Sequence, residues 1–92
     1  MKILTDAEKE DLRHAVLDVL STRAPAALPL AGIRRRMVNE VDFDFTEADV
    51  AAVLFFLADK NLVKAETDPL GSSKWWRITA DGQLAVERGG QN

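Results

Sequence analysis

The sequence contains no cysteine. That excludes disulfides, thiolate nucleophiles and cysteine-based zinc sites. A single histidine, His14, excludes multi-histidine metal sites. No apolar run approaches the roughly 20 residues needed to cross a bilayer, so no membrane partner is expected. The opening "MKILTDAEKED" turns acidic too early for a signal peptide, and the expected location is the cytoplasm. Positive charge is not in excess: 12 lysines and arginines face 15 acidic residues, for a net charge of -3. The average field therefore repels nucleic acid, although local patches outweigh totals. Size is also lacking. The 92 residues suit one small domain over 1–92, ordered over about 6–88, whose core leaves no room for a large enclosed pocket. No Walker motif, dinucleotide fingerprint or nucleophile elbow occurs. The expectation is no enzyme, no cofactor and no small-molecule substrate.

What is present is strong local patterning. In "TDAEKEDLRHAVLDVLSTRA", Thr5 can cap a helix and Glu8 completes a capping box. Leu12, Ala15, Val16, Val19 and Leu20 recur at helical spacing, predicting a helix from Asp6 to Arg23. The two prolines of "APAALP" break the chain. Leu30, Ile33, Met37 and Val41 then predict a second helix over "LAGIRRRMVNEV". After the connector "DFDF", "TEADVAAVLFFLADKN" predicts the third. Thr46 is its N-cap, Asp49 its third residue, and Phe45 with Val50 a hydrophobic staple. Asn61 can end it in the left-handed conformation.

"LVKAET" and "KWWRIT" read as strands, and "DPLGSS" between them supplies turn chemistry, giving a β-hairpin. "TADGQLAVERG" reads as a closing helix with Thr79 as cap and Gly89-Gly90 as stop. Side chains alternate across a strand. Trp76 and Ile78 therefore share one face, and Trp75 and Arg77 the other. Trp76 belongs to the core beneath the hairpin. Trp75 covers an edge of the domain, stacks in a dimer, or lies against sugar and phosphate.

The order helix, helix, helix, strand, turn, strand, helix resembles the winged helix-turn-helix superfamily, an α+β fold. "TEADVAAVLFFLADKNLVKAE" is similar to that family's third helix running into the first wing strand. "KWWRITADGQLAVERG" is similar to the second wing strand and the Ile/Leu-Thr-x-x-Gly step into a closing helix, as in small PadR, MarR and ArsR regulators. The resemblance covers residues 6 to 88 and leaves the subfamily open. It implies a transcription regulator of a bacterial or phage kind that binds double-stranded DNA. The third helix would enter the major groove and the wing would touch backbone or minor groove.

The residues pull two ways. With Val50, Val53, Leu54 and Leu57 turned to the core, the outer face of the third helix holds Ala48, Ala52, Phe55 and Asp59, with Phe56 at its flank. A groove-reading helix presents Arg, Lys, Asn, Gln or Ser. Here Asp42, Asp44, Glu47 and Asp49 crowd the entry and repel phosphates. Residues 34–77 hold seven basic and eight acidic side chains, so any cationic patch is local. Arg34, Arg35 and Arg36 fan over roughly 200° of a helix, and Lys60, Lys64, Lys74 and Arg77 lie on or near the hairpin. For DNA binding the candidates are Arg34, Arg35, Arg36, Lys60, Lys74, Trp75 and Arg77. The alternative is a protein-interaction or homodimerisation module that does not bind DNA, using Ala48, Ala52, Phe55, Phe56 and Trp75. His14 and Asp18, four apart, share a helix face and are placed to hydrogen-bond as a surface pair. Asp42 and Asp44 lack the other ligands of a calcium loop.

Overall fold

The computed structural model describes residues 3–67, 70, 71 and 73–89. Within it lie four helices, α1 (Asp6–Arg23), α2 (Leu30–Met37), α3 (Glu47–Asp59) and α4 (Ala80–Gly89), and three strands, β1 (Leu28–Pro29), β2 (Val63–Thr67) and β3 (Lys74–Ile78).

Helix α1 begins where its capping box places it: Thr5 Oγ1 accepts the Glu8 N–H at 3.1 Å and Glu8 Oε1 accepts the Thr5 N–H at 3.0 Å. It buries Leu12, Ala15, Val16, Leu17, Val19 and Leu20. Helix α2 stops at Met37, short of the expected Val41, in a turn closed by Glu40 N–H to Met37 C=O at 2.9 Å. The reason is the alternation beyond it. Val41, Phe43 and Phe45 are half-buried against the core while Asp42, Asp44 and Thr46 are exposed. A period of two in burial pins the connector against the core, and a continued helix would turn half of those side chains outward.

Helix α3 carries a second capping box, Thr46 with Asp49, at 3.1 and 2.8 Å. Its far end is a Schellman motif. Leu62 N–H reaches Leu57 C=O at 2.9 Å, Asn61 N–H reaches Ala58 C=O at 3.0 Å, and Asn61 sits at φ 62 as the left-handed residue. That geometry turns the chain directly into β2.

The sheet order is β1-β3-β2, all antiparallel. The expected hairpin is there, but "APAALP" holds a strand that its prolines concealed. Leu28 pairs with Trp76 and Pro29 with Trp75. Pro29 has no N–H to donate, which an edge strand tolerates. Strand β3 is therefore central, and the adjacent tryptophans are explained. Trp76, between Leu28 and Ala65, faces the core and is buried; Trp75, between Pro29 and Glu66, lies on the outer face. Of the turn "DPLGSS", Asp68, Pro69 and Ser72 lie outside the described residues, as does the expected stop at Gly90.

Thr79 joins the sheet to α4. Its N–H donates to Leu62 C=O at 3.1 Å, its hydroxyl donates to Asn61 C=O at 2.7 Å, and its Oγ1 accepts the Gly82 N–H at 3.0 Å. Gly82 is fixed by space: a Cβ there would overlap the Leu62 carbonyl oxygen and stand 2.5 Å from Ile78 Cγ1. Ser21 Oγ donates to Gln83 Oε1 at 2.7 Å, tying α4 to α1. The core gathers Leu12, Val16, Leu20, Ile33, Met37, Val50, Leu54 and Leu57, closed on the sheet side by Val63, Trp76 and Ile78. Each such side chain, fully buried, contributes roughly 1.5–3 kcal/mol.

Candidate nucleic-acid interface

Val50, Val53, Leu54 and Leu57 anchor α3 by its inner side, leaving Glu47, Ala48, Ala52, Phe55 and Asp59 exposed. The carboxylate of Asp49 turns back: its Oδ2 accepts the Thr46 N–H at 2.8 Å. It serves the helix end and does not lead the face.

The two phenylalanines part company. Phe55 is 57% exposed, yet its ring meets Trp76 edge-on, with centroids 5.7 Å apart and planes at 89°. Lys74 Nζ stands 5.5 Å from the same ring centroid. Phe55 thus rims a groove of about 410 Å³ with Pro29, Leu30, Ala31, Lys74 and Trp76. Phe56 faces α1 instead. The Arg13 guanidinium lies over it at 4.1 Å and Lys60 Nζ at 5.7 Å, in cation–π geometry. Arg13 was not legible as its cover, because 43 positions separate it from Phe56 in the sequence. The structure therefore sets Phe55 in a groove with Ala51 and Lys74, sets Ala52 with Phe56, Leu4 and Arg13 in another recess, leaves Ala48 exposed, and puts Trp75 on the opposite face of β3 from Lys74 and Trp76.

The cations are likewise distributed. Arg35 is exposed and stands one helical turn from Ala31, which lines the Phe55 groove. Lys74 holds the wing edge of that groove. Arg34 borders a second recess that Asp42 and Asp44 also line. Arg36 Nη1 donates to Gly32 C=O at 3.2 Å within its own helix. Arg77 Nε lies 2.8 Å from Glu66 Oε1 on the outer face of the sheet, and Lys64 stands opposite Arg77 in register. Lys60 sits at the far end of α3 beside Phe56.

His14 lies 4.0 Å from Glu10, one turn back, and not paired with Asp18 as the spacing suggested. Among the described residues, no cluster of three or more histidines and acids is placed to hold a metal ion, and no helix is long and apolar enough to cross a membrane.

Three helices with a short strand between the first two, then a hairpin that completes a three-stranded antiparallel sheet, and a closing helix constitute a winged helix-turn-helix fold, and solved structures bear this out. The MepR–DNA complex of Staphylococcus aureus superposes with a TM-score of 0.74 at 20% identity, covering 88% of this chain and 61% of that one. A PadR family transcription regulator from Clostridium difficile gives 0.72 at 18%, covering 87% and 83%. A MarR family transcriptional regulator from Silicibacter pomeroyi gives 0.70 at 22%, covering 85% and 47%. The chain thus spans about half the length of that MarR regulator. No protein-family model matches the sequence, and no curated protein matches it either.

Proposed function

We propose that this chain is the DNA-binding unit of a small winged-helix transcription regulator. The observation that carries the reading is that Lys74 on the wing and Ala31 on α2, one helical turn from the exposed Arg35, line the same groove as Phe55 of α3. The likeness to a regulator solved on DNA supports it. In this reading α3 approaches the major groove. Arg34, Arg35 and Lys74 take phosphates, while Trp75 and Arg77 on the outer face of the wing approach the backbone. Arg36 and Lys60 are secondary contacts, already engaged with Gly32 C=O and Phe56.

The chemistry sets the character of the binding. Ala48, Ala52 and Phe55 offer the groove only apolar contact, such as with a thymine methyl, and no bidentate donor for guanine or adenine. Affinity therefore rests on phosphates and is opposed by Asp42, Asp44, Glu47 and Asp59. Three phosphate contacts give a slope of log K against log salt of about -3. Fluorescence anisotropy of a labelled random-sequence duplex in a salt series tests this. Binding with that slope, lost on Arg35→Glu with Lys74→Glu, supports the reading. Absence of binding at low salt and high protein concentration removes it.

A specific observation also favours a protein-interaction role for the same face. Phe55, on a helix flanked by carboxylates, leaves more than half of its surface in water. Exposed aromatic surface beside small residues marks protein interfaces.

A further inference from the structure

We infer that α3 reads thymine by its C5-methyl group, with Phe55 as the reading residue, so that the chain prefers duplexes rich in A·T pairs. The inference rests on the DNA-binding reading above and names the bases it favours.

The argument starts from what α3 can offer a base edge. Its sequence, EADVAAVLFFLAD, contains no lysine, arginine, asparagine, glutamine, serine, threonine or histidine, and therefore no side-chain donor. In the major groove guanine shows only the acceptors N7 and O6. Neither meets a partner on this helix. The amino groups of adenine and cytosine find an acceptor only in Glu47 or Asp59, since Asp49 accepts the Thr46 N–H. A carboxylate brought to a base edge also meets the repulsion of the flanking phosphates. The one group in the groove that asks for neither a donor nor a charge is the thymine methyl.

Shape singles out Phe55. Ala48, Ala52 and Phe55 are exposed at helical spacing, along the crest of α3. On one side of the crest lies the Phe55 groove, with Ala51, Lys74 and Trp76. On the other lies the recess where Ala52 meets Leu4, Arg13 and Phe56. Ala48 and Ala52 end at Cβ, so Phe55 stands above them. It is 57% exposed, and its ring is held by the edge contact with Trp76, itself buried. A ring already fixed loses little freedom on contact. Lys74 Nζ lies 5.5 Å from the ring centroid. A phosphate held by Lys74 therefore brings the neighbouring bases to the ring.

Fluorescence anisotropy with two pairs of labelled duplexes tests the inference. The first pair shares one A·T-rich sequence, made with thymine or with deoxyuridine, which lacks only the methyl. The second shares one G·C sequence, made with cytosine or with 5-methylcytosine, which carries a methyl at the same ring position. The expected result is about fourfold tighter binding to the methylated member of each pair, the gain from burying one methyl-sized group. The ratio should stay constant through a salt series while both affinities fall, because the methyl contact carries no charge. Phe55→Ala should bring the thymine and deoxyuridine duplexes to equal affinity. Arg35→Gln should weaken both and leave their ratio unchanged. Each ratio is taken within one variant, so a partial loss of folded protein cancels. Equal binding of the parent chain to thymine and deoxyuridine duplexes overturns the methyl reading and leaves DNA binding standing. No binding to any duplex removes the reading on which the inference rests. A thymine preference that survives Phe55→Ala overturns Phe55 as the reader. A preference confined to the A·T pair, absent with 5-methylcytosine, assigns it to duplex shape and overturns methyl recognition.

Discussion

Replacing Gly82 by alanine sets two effects against each other, and the structure decides between them. In a helix, alanine is favoured over glycine by about 1 kcal/mol. At Gly82, however, the added Cβ would overlap the carbonyl oxygen of Leu62 and stand 2.5 Å from Ile78 Cγ1. The carbonyl has little freedom, because it already accepts the Thr79 N–H at 3.1 Å. Relief requires α4 to move away from the sheet. Overpacking of this kind costs about 1–3 kcal/mol. The movement also strains the Thr79 cap on the Gly82 N–H, worth about 1 kcal/mol, and a further hydrogen bond of similar size. The net expectation is a loss of about 2–4 kcal/mol. For a chain of this length that is a fall in Tm of roughly 10–30 °C. Urea and thermal unfolding followed by circular dichroism read it directly. Gly89→Ala is the internal control: nothing lies within 4 Å of a Cβ there, so its effect should stay within about 1 kcal/mol of neutral. A Gly82→Ala variant as stable as the parent would refute the packing of the sheet-to-α4 junction described above.

Other expectations follow from the same geometry. Thr46→Ala removes the α3 N-cap and should cost about 1 kcal/mol in urea unfolding; adding Asp49→Ala should cost less than its separate effect, since the two share one capping box. Leu54→Ala empties a site with no solvent exposure and should cost about 2–5 kcal/mol by the same assay. Asn61→Ala forces a Cβ-bearing residue without a side-chain amide into φ 62 and should cost about 1 kcal/mol, whereas Asn61→Gly should be close to neutral. Glu47→Gln removes an exposed carboxylate from the entry of α3 and should tighten duplex binding in low-salt anisotropy, most at the lowest salt.

Much of the fold was legible because its boundaries are written in local chemistry. The Thr5–Glu8 and Thr46–Asp49 boxes mark the starts of α1 and α3, and Asn61 marks the end of α3, each through groups within three or four residues. The Ile78-Thr79-x-x-Gly82 step was legible as a pattern, and its cause, a glycine pressed on a carbonyl 20 positions back, needed the structure. Strand β1 was hidden because two residues carry no period, and its partners in β3 lie almost 50 positions away. The length of α2 was misread because Val41 continues a helical spacing while belonging to the alternating connector Val41-Asp42-Phe43-Asp44-Phe45. For the candidate site, the wheel reading of α3 separated inner from outer residues correctly. It did not foresee that Trp76 would hold Phe55 on one side and Arg13 would cover Phe56 on the other. Nor could composition tell that Arg36 and Arg77 are engaged with Gly32 C=O and Glu66 while Lys74 rims the Phe55 groove. Those outcomes depend on which strands and helices meet, and no local rule carries that.

The most direct test of the proposed function is a ¹⁵N–¹H correlation titration of the chain with a short random-sequence duplex at low salt. The account predicts that amide shifts concentrate on Arg34, Arg35, Ala48, Ala52, Phe55 and Lys74, and that α4 and the first turns of α1 stay unmoved. Shifts centred on α4, or no shifts at saturating duplex, would contradict it.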